Sequence, residues 1–280
     1  MIVRRDEAVK RKKDLAVALG LLVLIVAAPG CGVINNLRAK DSLNDGVRAY
    51  NQGRYDVAQS KFEYALELNP DNTNAQLFYA RALTARFDQG QEEDLGIKTI
   101  AAYDNIIKKN PNNTEAVDQA LAFKAKVYDD LSNLVPSKQE QYEQTRRETL
   151  LKRADLPNAT AQTKADVHYT LGVGYWEKAY ALDRRFVEKN PPQPVPPDVA
   201  DQVKPLVQKA HEHLQKAISV KPDYANAYFY EKLAFLQDLY TEPNPARKKD
   251  IQAKVIEAQD KFLELQKQAA AAPEAGAPSK

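Results

Sequence analysis

The stretch GVRAYNQGRYDVAQSKFEYALELNP, residues 46–70, decides the fold. It ends on a proline, and the residues that come after that proline recur: PDNTNA at 70–75 returns as PNNTEA at 111–116 and as PDYANA at 222–227. Upstream of each proline the register also holds. Phe62, Tyr103 and Leu214 each sit eight residues before it, and Ala65, Ile106 and Ala217 five before. A proline just past a helix stops its continuation, and an Asp or Asn beside it can cap the next helix. The pattern predicts helix, tight turn, helix, repeated along the chain.

Composition agrees. Hydrophobic residues are 44% and charged residues 28% of the 280-residue chain, the balance of a folded chain rather than a disordered one. Glycines number ten, against many Ala, Leu, Lys, Glu and Gln, which lose little freedom in a helix. The single cysteine excludes an internal disulfide framework and any multi-cysteine metal site, so stability has to come from packing. The formal charge of +2 is carried by residues 1–30, where six basic groups face three acidic ones, leaving −1 for the rest. No clustered positive face remains for a phosphate backbone, and nucleic acid is not an expected partner.

The repeat resembles the tetratricopeptide family, whose signature runs W-x2-L-G-x2-Y, then A-x3-F, then P. The quoted stretch supplies Gly46, Gly53, Tyr55, Ala58, Phe62, Ala65 and Pro70. VHYTLGVGYW (167–176) supplies Leu171, Gly172 and Tyr175, with His168 in the Trp position, and Ala258 with Phe262 repeats the A-x3-F element. The resemblance spans about residues 39–268 and implies an all-α, α-α superhelical solenoid of about five helix pairs. The pairs are elongated and irregular: the proline landmarks at 70, 111, 157 and 222 lie 41, 46 and 65 residues apart, against ~34 for the family. The excess is expected between the paired helices, in ARFDQGQEEDLG (85–96), LSNLVPSKQ (131–139) and EKNPPQPVPPDVAD (188–201). Within the last of these, NPPQPVPPD (190–198) is expected to be extended, either as a stiff connector or as a recognition segment.

A basic stretch at the N-terminus precedes the apolar run Leu15–Ala28. As a helix this run would rise about 21 Å, short of a ~30 Å hydrocarbon core, and it suits a signal h-region better than a span. APGCG comes next, with the lone cysteine, Cys31. The arrangement resembles a bacterial lipoprotein signal, which implies cleavage before Cys31 and lipid on it. Gly30 fits the small residue before the cut; Pro29 and Ala28 depart from the usual choices. Ordinary cleavage near Ala28 and an uncleaved anchor reaching Ile34 are the two other readings. The lipoprotein reading divides the chain into a signal at 1–30, a linker at 31–38, the helical array at 39–268 and a disordered Ala/Pro tail at 269–280. Gly32 stands where Asp would imply inner-membrane retention, so the periplasmic side of the outer membrane is the favoured location.

No catalytic or cofactor motif is present: no P-loop, no G-x-S-x-G, no H-E-x-x-H. His211 and His213 sit on a predicted helix at i and i+2, which turns their rings about 200° apart, so they are not expected to share an ion. The expected function is a non-enzymatic envelope scaffold that binds proteins or peptides and needs neither cofactor nor metal. Two alternatives stand beside it: an assembly factor for outer-membrane proteins or type IV pili, and an accessory to, or part of, a cell-wall enzyme. The family resemblance implies that first helices line a groove. With the signature residues turned inward, the candidate groove residues are Leu43, Val47 and Tyr50, then Tyr169, Val173 and Trp176, then Phe229, Leu233 and Leu236. Each triplet is spaced i, i+4, i+7 on one helix face. The competing reading is that these stripes are ordinary core.

Overall fold

In a computed structural model, residues 32–271 are described. All their regular structure is helical. The described helices are α1 (32–51), α2 (Tyr55–Leu68), α3 (Thr73–Gly90), α4 (Glu93–Lys109), α5 (Thr114–Leu134), α6 (Gln139–Ala154), α7 (Ala161–Val187), α8 (Pro197–Val220), α9 (Ala225–Thr241) and α10 (Pro245–Ala271). A short 3-10 turn, Pro136–Lys138, leads into α6. The chain forms two compact units that divide between Glu143 and Gln144.

The register read from the proline landmarks is the register of the core. Phe62, Tyr103, Leu214, Ile106 and Ala217 are fully buried, and Ala65 nearly so. Burying a side chain of the size of Phe62 contributes about 1.5–3 kcal/mol. In the first unit α4 packs on both α3 and α5; in the second, α8 packs on both α7 and α9. Within each unit a second helix thus lies between two successive first helices.

Close crossing depends on glycines, among them Gly46, Gly96 and Gly172. A Cβ added at Gly46 would overlap the Phe62 ring, and one at Gly172 would lie 2.6 Å from Leu214 Cγ and 3.2 Å from the Ala210 carbonyl oxygen. Leaving out the Cβ lets the paired helices approach at these points. The turns also obey the sequence. Asn72 and Asn113 accept hydrogen bonds from the backbone N–H groups of Ala75 and Ala116, each at 3.1 Å. At the third landmark Tyr224 occupies the cap position, offers no side-chain cap, and instead donates its hydroxyl to Asp166 at 2.8 Å.

Several expectations are corrected by helix length. The segment 85–96 is not an inserted connection, because α3 runs on to Gly90 and α4 starts at Glu93, with Gln91 in the left-handed region between them (φ 48°). No proline interrupts that segment, so the extra residues are taken up as helix. The extended stretch at 190–198 ends at residue 196: Pro197 opens α8, where its missing N–H costs no hydrogen bond, and Pro205 is also inside that helix. Residues 32–38, read as a linker, form the start of the described α1, and α10 reaches Ala271. Cys31, expected to carry lipid, the expected signal at 1–30 and residues 272–280 lie outside the described residues. Among the described residues no helix is long and apolar enough to cross a membrane.

Candidate functional site

In the second unit, α7 and α9 lie side by side and bring two of the three candidate stripes together. Tyr230, which is not among the residues expected from the sequence, joins them. Its ring meets Tyr169 at 5.6 Å, Trp176 at 5.3 Å and Phe229 at 5.5 Å, each edge-on. Trp176 stacks on Tyr180 at 5.1 Å, and Phe229 tilts against Phe262 of α10 at 5.3 Å. Tyr169, Val173, Trp176, Phe229, Leu233 and Leu236 are all half-buried. Edge-to-face aromatic pairs add about 0.5–1.5 kcal/mol beyond their area, so the cluster holds its own shape while keeping part of each ring accessible. The buried Trp176 Nε1–H has no hydrogen-bond partner. Lys232 rests over Phe229 at 4.4 Å and donates to Gln259 at 2.9 Å. The signal for Tyr230 is present in the run AYFYEK, where each aromatic serves a different side of one helix.

Tyr169, Trp176 and Tyr230 also pack against the buried core of the second unit, and the third stripe, on α1, has the same relation to the core of the first. Leu43, Val47 and Tyr50 are half-buried and pack against the cluster of Ala49, Ala58, Phe62 and Ala82. In the same unit Arg81 of α3 lies between Phe78 and Phe123, its guanidinium carbon 5.6 and 5.2 Å from the two ring centres, and donates to Gln119 at 2.9 Å. A cavity of about 260 Å³ opens beside it, lined by Asn74, Phe78, Asn113 and Gln119 among others. The two units therefore present unlike faces: a guanidinium held between two aromatic rings in the first, and a larger aromatic cluster with an ammonium over one of its rings in the second.

The histidines engage opposite sides of α8. His211 lies between two carboxylates of α9, with Nδ1 2.9 Å from Glu231 Oε1 and Nε2 2.9 Å from Asp238 Oδ2, and Phe235 covers the ring at 4.4 Å. Burial works against the charged ring, but the hydrogen bond to Asp238 and the close Glu231 carboxylate outweigh it and push the imidazole up to about 9. His213 faces α7, its Nδ1 3.1 Å from Nδ1 of His168, and Tyr175 stacks on it at 5.7 Å. One of those two nitrogens must donate and the other accept. Burial, aided by Lys216 and His213, brings His168 down to about 4, and burial also lowers His213. Asp183 of α7 is fully buried, and burial pushes its carboxyl up to about 6. Because the carboxylates of Glu231 and Asp238 take opposite nitrogens of His211, they do not converge on one point. Among the described residues no three His, Cys, Asp or Glu side chains are grouped to hold a metal ion.

Residues 49–89, from the end of α1 through α3, match the family model described as a tetratricopeptide repeat. The match covers one repeat's length within the first unit, and the described residues around it form all-α, paired helices. Among solved structures, the chain is similar to a crystal structure of MamA protein, at 19% identity and TM-score 0.46, covering 86% of this chain and 98% of that one. It is also similar to MamA 41-end from Desulfovibrio magneticus RS-1, at 16% identity and TM-score 0.47, covering 82% and 96%. No curated protein matches the sequence.

Proposed function

We propose that this protein is an envelope scaffold, held to a membrane through Cys31, that captures a protein or peptide on the aromatic face of its second unit. The observation that carries the reading is the convergence of Tyr169, Trp176 and Phe229 on Tyr230, with Leu233 beside them and every one of these side chains half-buried. Trp and Tyr are enriched at binding hot spots because they offer a large contact area at little cost in side-chain entropy. The aromatic face suits an apolar or amphipathic helical segment. The apolar run Leu15–Ala28 with Cys31 after it supports export and lipid attachment, and Gly32 supports an outer-membrane destination. Several acyl chains, each worth ~0.8 kcal/mol per buried CH₂, would hold the protein without a spanning helix.

A photo-crosslinking residue at position 233, in cells of the native host, tests the binding face; the same residue at the exposed position of Glu212 on α8 is the control. The expected result is a discrete adduct from 233 and none from 212. Equal labelling at both positions contradicts the assignment. Mass spectrometry of the mature N-terminus tests the anchor: an acylated Cys31 is expected, and an intact Met1 or an unmodified start near Ala28 contradicts it.

A further inference from the structure

The opposite side of α9 carries a second feature. Helices α8 and α10 both pack on α9 and leave a groove of about 1160 Å³ between them. Its floor is Phe235 and Glu231 of α9, one wall is Gln215 and Ile218 of α8, and the other is α10 from Ala253 to Glu264. That wall is about 18 Å long at 1.5 Å per residue, the length of three helical turns. Ile256 stands on it 60% exposed, more than a large aliphatic side chain normally is when it has a packing partner.

The charge of this groove has one sign in excess. It is lined by four carboxylates, Glu231, Glu257, Asp260 and Glu264, and by two ammonium groups, Lys254 and Lys261. Lys261 is paired with Glu264 at 2.9 Å, and Lys254 sits over Phe235 at 5.5 Å. Glu257 and Asp260 are left on the rim. Beneath the floor, the imidazolium of His211 balances only one of its two carboxylate neighbours. The Glu231 side chain is 6% exposed, and its Oε2 is buried without a hydrogen-bond partner. A buried carboxylate oxygen without a donor costs free energy that a cationic N–H would recover.

We infer that the groove between α8 and α10 docks an amphipathic helix of a partner protein, one whose apolar stripe is flanked by Lys or Arg. The apolar side chains meet Ile218, Phe235 and Ile256. The cations pair with Glu257 and Asp260, and one reaches towards Glu231. A helix is the occupant that two flanking helices admit at ordinary interaxial distances of about 8–10 Å. This site lies on the other side of α9 from Leu233 and does not depend on the aromatic face.

The test uses the full chain and labelled synthetic 16-residue peptides read by fluorescence anisotropy. One peptide is an amphipathic Leu/Lys helix, one a Leu/Glu helix of the same pattern, and one the Leu/Lys composition with the apolar period scrambled. The wild type is expected to bind the first at least tenfold more tightly than the other two. Ile256→Lys and the double change Glu257→Lys with Asp260→Lys should each weaken that binding at least tenfold, with melting temperature unchanged because all three side chains are exposed. Leu233→Ala should leave it unchanged. Equal binding of the scrambled peptide means attraction by charge alone and overturns the proposal. So does binding that survives the α10 variants, binding lost in Leu233→Ala, or no binding of the Leu/Lys helix. Failure here with a position-233 adduct intact leaves the aromatic face standing, and the converse result separates the two in the other direction.

Discussion

In the first unit a glycine of α1 meets Phe62 of α2, and in the second a glycine of α7 meets Leu214 of α8. The crossing is the same, and so is the burial of the residue eight before the proline landmark. The interiors that the two units enclose are different. Around Phe87, Tyr103 and Leu131 the first unit is packed with apolar and hydroxyl groups; Tyr103, fully buried, shares a hydrogen bond with Thr84 at 2.9 Å. The second unit holds all three histidines of the chain, the buried Asp183 and the buried Glu231. One packing rule thus serves two interiors, and the three histidines and the buried Asp183 and Glu231 belong to only one of them. The repeat signature reports the rule and is silent about the interior.

The largest effect separating the two units is expected at His211. Replacing it by Leu strips the partner from Glu231 and Asp238, and breaking a buried ion pair from one side costs about 3–5 kcal/mol. The wild type should show the same dependence on pH. The folded imidazole, near 9, lies above its unfolded value of ~6.5, so its contribution is complete below pH 6.5 and is lost as pH rises through about 9. His168 has the opposite sign. Its folded value near 4 lies below the unfolded one, so stability falls as pH drops from 6.5 towards 4. Between pH 6.5 and 4 the raised carboxyl of Asp183 acts in the opposite sense to His168, so hydrogen exchange on the full chain, read separately over residues 32–143 and 144–271, should show protection in the second unit falling as pH rises through about 9 by an amount the first unit does not match. Equal pH dependence in the two units would erase the difference between their interiors.

Next in size are the shared glycines. Gly46→Ala and Gly172→Ala should each cost about 1–3 kcal/mol, because overpacking a filled core displaces Phe62 or Leu214. Denaturant melts monitored by circular dichroism check this, and a neutral result at either site would mean that the crossings are looser than the glycines imply. The smallest effect is local. Asn113→Ala removes the cap at the start of α5 and should lower stability by about 1 kcal/mol, whereas Tyr224→Phe, at the equivalent place before α9, should act only through the lost hydrogen bond to Asp166. Thermal melts of the two variants side by side distinguish a cap from a tether.

The legible parts of the fold are those that repeat. Phe62, Tyr103 and Leu214 announce their burial by distance from a proline, and Asn72 and Asn113 announce a cap. The helix extension through residues 85–90 is hidden in the sequence because a hydrophilic stretch without proline is consistent with either loop or solvated helix. The contact of His211 with its two carboxylates is hidden for another reason: His211 and Asp238 are 27 residues apart, and their contact depends on how α8 is rotated against α9. Tyr230 falls between these cases, since its stripe is visible but not the ring towards which the other stripe leans. Arg81 is equally silent, because an arginine on a helix reads as solvated until two aromatic rings are found on either side of it.

The claim that most needs a direct trial is that the half-buried aromatic face of the second unit is there for a partner rather than for the core. Trp176 is the only tryptophan of the chain, and Leu233 lies beside its cluster on α9. The double variant Trp176→Ala with Phe229→Ala should be measured twice, by thermal melt and by the adduct formed from a crosslinking residue at position 233. A face built for a partner loses capture, at least tenfold in recovered adduct, while the melting temperature falls by only a few degrees. Retained capture, or a loss of cooperative unfolding in the second unit, would make these residues ordinary core and contradict the claim.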